Sequence, residues 1–155
     1  HATTTLMLES LRHFSCTGKT VVDFGTGTGI LAILAHKMKA QKVLAIDHDE
    51  WSMENALENL ERNDAHAIRL LKEDHFPVSD RWDIILANIN LQVILDNMNA
   101  FYHGLNSGGV LIISGILETD RNQVEEVAKP MGFTAEYFTE KNNWVCVAFK
   151  KKSLA

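Results

Sequence analysis

The order of elements in this sequence predicts an α/β protein: a mostly parallel sheet, covered by helices and finished by an antiparallel hairpin. Three observations carry that reading. Short apolar runs alternate with segments of helical period between residues 20 and 131, the pattern of a parallel sheet with right-handed crossovers. One run, Trp82 to Asn88, is apolar almost throughout, as expected where both sheet faces are covered. The final two runs, 134–139 and 144–150, are separated only by Glu140-Lys141-Asn142-Asn143, so they must pair as a hairpin.

Taken in order, Leu6, Leu8, Leu11 and Phe14 lie at helical spacing and predict a first helix, capped by one of Thr3, Thr4 or Thr5 and ended by Thr17-Gly18. Strands are expected over residues 20–25, 42–47, 67–71, 82–88 and 109–115. Helices are expected over 30–39, 51–63, 93–105 and 120–131, with Asp49 as the N-cap of the second of these. The stripe Ile94, Leu95, Met98, Phe101 and Tyr102 belongs to the core. No repeat, low-complexity tract or linker interrupts the chain.

A chain of 155 residues is read as one domain with room for a full core. Its 46% hydrophobic and 23% charged residues are ordinary for a soluble globular protein, and a cytoplasmic one is expected. The net charge of −5 argues against a broad nucleic-acid footprint, and Lys150-Lys151-Lys152 reads as a solvated tail. No apolar run approaches a membrane span, and no signal peptide is recognised. Cys16 and Cys146 have no CxxC partner and read as reduced thiols, Cys146 in a strand. The seven histidines form no pair at ligand spacing, so no metal site is expected. No G-x-S-x-G motif or cysteine nucleophile is evident. The chain starts with His1 rather than Met, and is expected to be the catalytic portion of something longer.

The most informative segment is Val21-Val22-Asp23-Phe24-Gly25-Thr26-Gly27-Thr28-Gly29, a buried strand that ends in a carboxylate and breaks into a glycine-rich turn before a helix. Such a turn offers bare backbone and helix N–H groups to a ligand. Two cofactor classes use it. The dinucleotide pattern G-x-G-x-x-G/A can be imposed with Gly27, Gly29 and Ala32. The S-adenosylmethionine pattern, an acid two residues before G-x-G-x-G, fits Asp23, Gly25, Gly27 and Gly29 without a shift. A carboxylate at the base of the turn repels a pyrophosphate but accepts hydrogen bonds from an ammonium, so S-adenosylmethionine is favoured. A ligand-free strand-to-helix turn is the alternative.

Ligands of open α/β sheets lie beyond the carboxyl ends of the strands. Asp47 ends the second strand and is placed to accept from both ribose hydroxyls. After the third come Asp74, which could accept from an adenine amino group, and Phe76, which could pack on the ring; a solvated polar loop is the competing reading. Asn88 ends the fourth strand, where methyl donor and acceptor should meet.

These residues resemble a specific family, the methyltransferases that modify the large-subunit ribosomal protein L11 (PrmA). His1-Ala2-Thr3-Thr4-Thr5-Leu6 resembles the end of that family's G-T-G-x-H-x-T-T-x-L segment. Residues 22–31 are similar to its glycine loop, Ala87-Asn88-Ile89 to its A-N-I strand end, and Ser114-Gly115-Ile116-Leu117 to its S-G-I-L segment. The likeness runs from His1 to about Lys151. It implies the Rossmann-like class I methyltransferase fold, a mostly parallel seven-stranded sheet with a C-terminal antiparallel hairpin. It implies S-adenosylmethionine as donor, and lysine ε-amino and N-terminal α-amino groups of a ribosomal large-subunit protein as acceptors. By position, Thr4 would touch the methionine part of the cofactor, Asp23, Gly25, Gly27 and Asp47 would hold it, and Asn88 would face the transferred methyl. The family's N-terminal substrate-recognition domain and the G-T-G before the histidine are absent. Asn90 stands where an apolar residue is more usual, and the N-P-P-[YF] of base- and glutamine-directed enzymes is not present.

The expected chemistry is in-line displacement by a neutral amine. Free lysine titrates near about 10.4 and an α-amine near about 7.7–8.0. No general base is evident, so positioning and desolvation are expected to carry catalysis, with Asn88 accepting a hydrogen bond from the amine. Three rivals stand beside this reading. They are an RNA or small-molecule methyltransferase of the same fold, a nicotinamide-dependent oxidoreductase, and a non-catalytic cofactor-binding module.

Overall fold

The computed structural model describes residues 2–153. Its elements are α1 (Ala2–Phe14), β1 (Thr20–Phe24), α2 (Ile30–Lys37), β2 (Lys42–Asp47), α3 (Glu50–Arg62), β3 (Arg69–Lys72), β4 (Trp82–Asn88), α4 (Leu91–His103) and β5 (Leu105–Leu117). A short 3-10 turn (Glu118–Asp120) leads into α5 (Arg121–Met131), then β6 (Phe133–Lys141) and β7 (Trp144–Lys151). The seven strands form one sheet in the order β3-β2-β1-β4-β5-β7-β6. The five strands from β3 to β5 are parallel, while β7 runs antiparallel to both β5 and β6. The expected α/β sheet with its terminal hairpin is therefore what the chain builds.

The alternation of side chains along each strand explains why the central runs are apolar throughout. On β4, Ile85 and Ala87 face a core shared with Ile94, Met98 and Phe101 of α4 and Val124 and Ala128 of α5. Ile84 and Leu86 face the opposite core, with Leu6, Met7 and Leu11 of α1, Leu31 and Ala32 of α2 and Leu60 of α3. Each face of β4 is covered from Ile84 to Ala87, so those four positions are apolar, while Asp83 near the start of the strand is held by the Thr20 N–H and the Asn106 carboxamide. β1 lies between β2 and β4, and the chain leaves it first toward β2 and later returns on the other side at β4. That reversal opens a crevice at the carboxyl ends of the two strands.

Three expectations are corrected. The first helix already includes Thr3, Thr4 and Thr5, so none of them is its cap. It ends at Phe14, where Ser15 takes a positive φ of 50°, before Thr17-Gly18. The strand expected over 109–115 runs from Leu105 to Leu117, because pairing with Trp82 at one end and Trp144 at the other draws flanking polar residues into the sheet. The Lys150-Lys151-Lys152 run is not a solvated tail. Lys151 belongs to β7, is only 9% exposed, and its Nζ donates to the Tyr102 carbonyl at the end of α4 (2.8 Å) and the Leu105 carbonyl at the start of β5 (2.9 Å). Carbonyls at a helix C-terminus lack intrahelical donors, and a cation there satisfies both their geometry and the helix dipole. Cys146 is buried in β7 as expected, against the Ser10 hydroxyl of α1 at 3.1 Å.

Candidate functional site

The loop after β1 is held by hydrogen bonds to its neighbour strand. The Gly25 and Thr26 N–H groups both donate to the Ile46 carbonyl of β2, at 2.9 and 2.8 Å. Gly25, Gly27 and Gly29 all take positive φ (84°, 56° and 85°), which only glycine adopts without strain. The turn therefore runs straight from β1 into the first turn of α2.

Asp47, at the end of β2, clamps this loop. Its Oδ2 accepts from the Gly27 N–H at 2.9 Å and its Oδ1 from the Asp49 N–H at 3.0 Å. The carboxylate is nearly buried, yet it lines the cleft, and each oxygen keeps a lone pair for a ligand hydroxyl. Asp49 caps α3 through its Oδ2, which accepts from the Ser52 N–H at 2.9 Å. Backbone donation from Ser52, followed by its hydroxyl, holds the Asp49 carboxyl below the usual carboxylate range.

Asp23 is the contrasting carboxylate. It is 1% exposed at the end of β1. Its Oδ2 accepts from the Thr26 hydroxyl at 2.7 Å, while its Oδ1 has no partner among the described residues. Burial pushes its pKa up to about 6; the Thr26 bond opposes that rise and the charge of Asp47 adds to it. An orphaned buried carboxylate oxygen is costly unless something donates to it.

A cleft of about 640 Å³ opens over the loop and the ends of β1, β2 and β4. Phe24, Gly25, Asp47, His48, Asp49, Ser52, Glu73, Asp74, Ile89, Asn90 and Val93 line it. Four acidic residues are among those that line it, Asp47, Asp49, Glu73 and Asp74, and no Lys or Arg is among the described lining residues. Of the site residues expected from the sequence, Gly25, Asp47 and Asp74 line the cleft. Asp23, buried at the end of β1, and Gly27, in the loop after it, are not among the residues that line it. Asn88 ends β4 and pairs with Ser114 of β5. Thr4 lies on α1, half-buried, next to Thr3, whose carbonyl is 3.5 Å from the Ser114 hydroxyl. The N-terminus of α1 thus abuts the same strand ends as Asn88. Among the described residues no group of three or more His, Cys, Asp or Glu could hold a metal ion.

Phe76 is not available to a ligand ring. It is 3% exposed and packs edge-on against Phe24 and Phe101 at 5.7 and 5.3 Å between centroids. Its N–H is held by the Asn97 carboxamide at 3.0 Å. Asn90 caps α4: its Oδ1 accepts from the Val93 N–H at 3.0 Å. Sequence reasoning did not single out Thr26 or Glu73. Thr26 alternates with the glycines and sits three residues after Asp23, the spacing of a side-chain turn; Glu73 is the neighbour of Asp74.

Comparison with known proteins points the same way as the geometry. The family model described as ribosomal protein L11 methyltransferase (PrmA) matches residues 1–152. The ribosomal protein L11 methyltransferase of Porphyromonas gingivalis is 39% identical over 155 residues, covering 99% of this chain and 53% of that protein. Its counterpart in Bacteroides fragilis is 35% identical over 151 residues, covering 96% and 54%. The chain spans about half the length of the curated relatives it matches. The crystal structure of a ribosomal protein L11 methylase from Lactobacillus delbrueckii subsp. bulgaricus superposes with a TM-score of 0.94 at 34% identity, covering 98% of this chain and 80% of that one. A methyltransferase from Pyrococcus furiosus shares the fold, with a TM-score of 0.81 at 22% identity, covering 94% of this chain and 81% of that one.

Proposed function

The chain belongs to the ribosomal protein L11 methyltransferase family, and from that premise we propose that its cleft binds S-adenosylmethionine. In this reading residues 1–155 are the catalytic domain of a cytoplasmic protein that methylates lysine ε-amino and N-terminal α-amino groups of ribosomal protein L11. The observation that carries the cofactor choice is the charge of the cleft: four acidic residues line it, and no Lys or Arg is among the described lining residues. A pyrophosphate would meet uncompensated repulsion there, whereas a ligand with an ammonium and a sulfonium meets attraction.

When bound, S-adenosylmethionine supplies an electrophilic methyl group on a sulfonium. The chain's own residues do the rest. Asp47 keeps its loop donors and offers its remaining lone pairs to the ribose hydroxyls. The orphaned Asp23 Oδ1 receives a donor from the ammonium, directly or through water, and a cation beside it draws its pKa down. Asp74 faces the adenine amino group, and Thr4 the methionine part. The Asn88 carboxamide accepts a hydrogen bond from the incoming amine and so aligns its lone pair. Removing water from that amine lowers its pKa and favours the neutral nucleophile.

The test is calorimetric titration with S-adenosylmethionine, S-adenosylhomocysteine and NADH, on the chain and on its Asp47→Ala variant. Saturable binding of the first two, none of NADH, and a loss of about 1–3 kcal/mol in the variant are expected. NADH binding alone would overturn the reading of the loop, and an unchanged dissociation constant in the variant would remove Asp47 from the site. Turnover on isolated ribosomal protein L11 then tests the acceptor.

A further inference from the structure

β5 is not a regular strand where it passes Asn88. Its register against β7 shifts between Ile113 and Ile116, so Ser114 and Gly115 form an irregularity there. Ser114 turns to one side. It is fully buried, with its hydroxyl 3.3 Å from the Val145 carbonyl of β7 and 3.5 Å from the Thr3 carbonyl of α1. Gly115 meets β4 on the other side. A Cβ at Gly115 would stand 2.8 Å from the Ile89 carbonyl oxygen, 3.0 Å from the Asn88 Oδ1 and 3.2 Å from the Ile89 nitrogen. Its φ of +87° is one that L side chains rarely adopt. The bare backbone of Gly115 therefore abuts both the Asn88 carboxamide and the peptide that follows it. On the opposite side Gly25, in the loop after β1, meets the Ile89 side chain, since a Cβ there would collide with the Ile89 Cγ2 methyl. The Asn88–Ile89 segment is threaded between two residues without side chains.

We propose that Gly115 is a positioning residue for methyl transfer: by carrying no side chain in the irregular turn of β5, it fixes the Asn88 carboxamide in the orientation that receives the acceptor amine. This rests on the reading of Asn88 as the acceptor-facing group. Neither Gly115 nor Asn88 is among the residues that line the cleft, and the proposal places the effect of Gly115 on the reaction step, leaving cofactor binding to the cleft residues. A bulge that re-aims a neighbouring side chain is a recurrent device beside active sites, and an error of about 1 Å in a positioned group lowers rates by about 10²-fold.

The experiment compares Gly115→Ala, Asn88→Ala and the double variant in turnover on ribosomal protein L11, with the S-adenosylhomocysteine dissociation constant measured in parallel. Gly115→Ala is expected to lower kcat by about 10²-fold while the dissociation constant stays within about twofold. In the Asn88→Ala background the same substitution is expected to change nothing further, because the group it positions is gone. Unchanged kcat in Gly115→Ala, or an independent loss added to that of Asn88→Ala, overturns the proposal. Full activity of Asn88→Ala instead removes the reading of Asn88, and the positioning role with it. A second measurement needs no variant to fold. In the wild-type protein the Asn88 side-chain amide is expected to show an NMR order parameter as high as the rigid backbone, with or without cofactor. A mobile carboxamide would overturn the proposal directly.

Discussion

Two glycines flank the exit of β4, and they differ in what presses on them. Gly25 is approached by the tip of a side chain, the Ile89 methyl. Gly115 is approached by backbone atoms of Ile89 and by the Asn88 carboxamide. A side-chain tip can rotate away; the Ile89 carbonyl and nitrogen belong to the backbone just past the end of β4 and yield less readily. Crowding at Gly25 is thus relieved by a side chain, and crowding at Gly115 largely by backbone alone. The two buried carboxylates divide similarly. Asp47 has a backbone donor on each oxygen, whereas Asp23 keeps one oxygen without a partner among the described residues.

The sharpest way to break this comparison is a pair of double-mutant cycles through Ile89. Gly115→Ala and Gly25→Ala should each destabilise the chain by about 2–4 kcal/mol, from overpacking and left-handed strain. Ile89→Ala should return about 1–2 kcal/mol of the Gly25→Ala loss beyond additivity, and nothing of the Gly115→Ala loss. Urea unfolding measures both cycles; equal coupling at the two glycines would erase the distinction.

The next largest effect concerns Asp23. Its folded pKa stands at about 6, above the ordinary 3.8. A carboxyl raised in the folded state favours folding fully below its unfolded pKa, and that contribution is lost as pH rises through the folded value. Asp23→Asn should therefore stabilise the ligand-free chain at pH 8 by about 1–3 kcal/mol, with the gain fading below about pH 4. It should also weaken cofactor binding. A variant no more stable at pH 8 than the wild type would mean that Oδ1 is not an orphan.

The smallest effect expected is at Asn90. Removing its cap with Asn90→Ala should cost about 1 kcal/mol in thermal or urea unfolding and leave cofactor affinity near its wild-type value. A large loss of affinity would move Asn90 from scaffold to binding.

Most of the architecture is legible in the sequence because burial on two faces writes itself as apolar runs. Trp82–Asn88 and Lys42–Asp47 fall where they were expected. The glycine loop is legible for a similar reason, since positive φ at three alternating positions admits little else. What escapes is what depends on a neighbour distant in the chain. The strength of β5 beyond residues 109–115 comes from partners on β4 and β7. Phe76 reads as a loop aromatic until Phe24 and Phe101 are seen around it. Lys151 reads as a charged tail because nothing local reveals that the end of α4 lies beside it. Gly115 is visible as a glycine, but the carboxamide against it belongs to another strand.

The position of β7 has a consequence for how such a chain emerges during synthesis. In chain order β6 precedes β7, yet in the sheet β7 lies between β5 and β6. β6 therefore has no strand of the sheet to pair with until β7 is made, since its one partner among the described residues is β7. The same insertion delivers Lys151 to the end of α4 and Val145 to Ser114. Completion of the sheet, closure of the helix end and support of the bend beside Asn88 then arrive together. Stalling translation before residue 144 should leave a chain in which β6 lacks its partner strand and the Ser114 hydroxyl lacks the Val145 carbonyl.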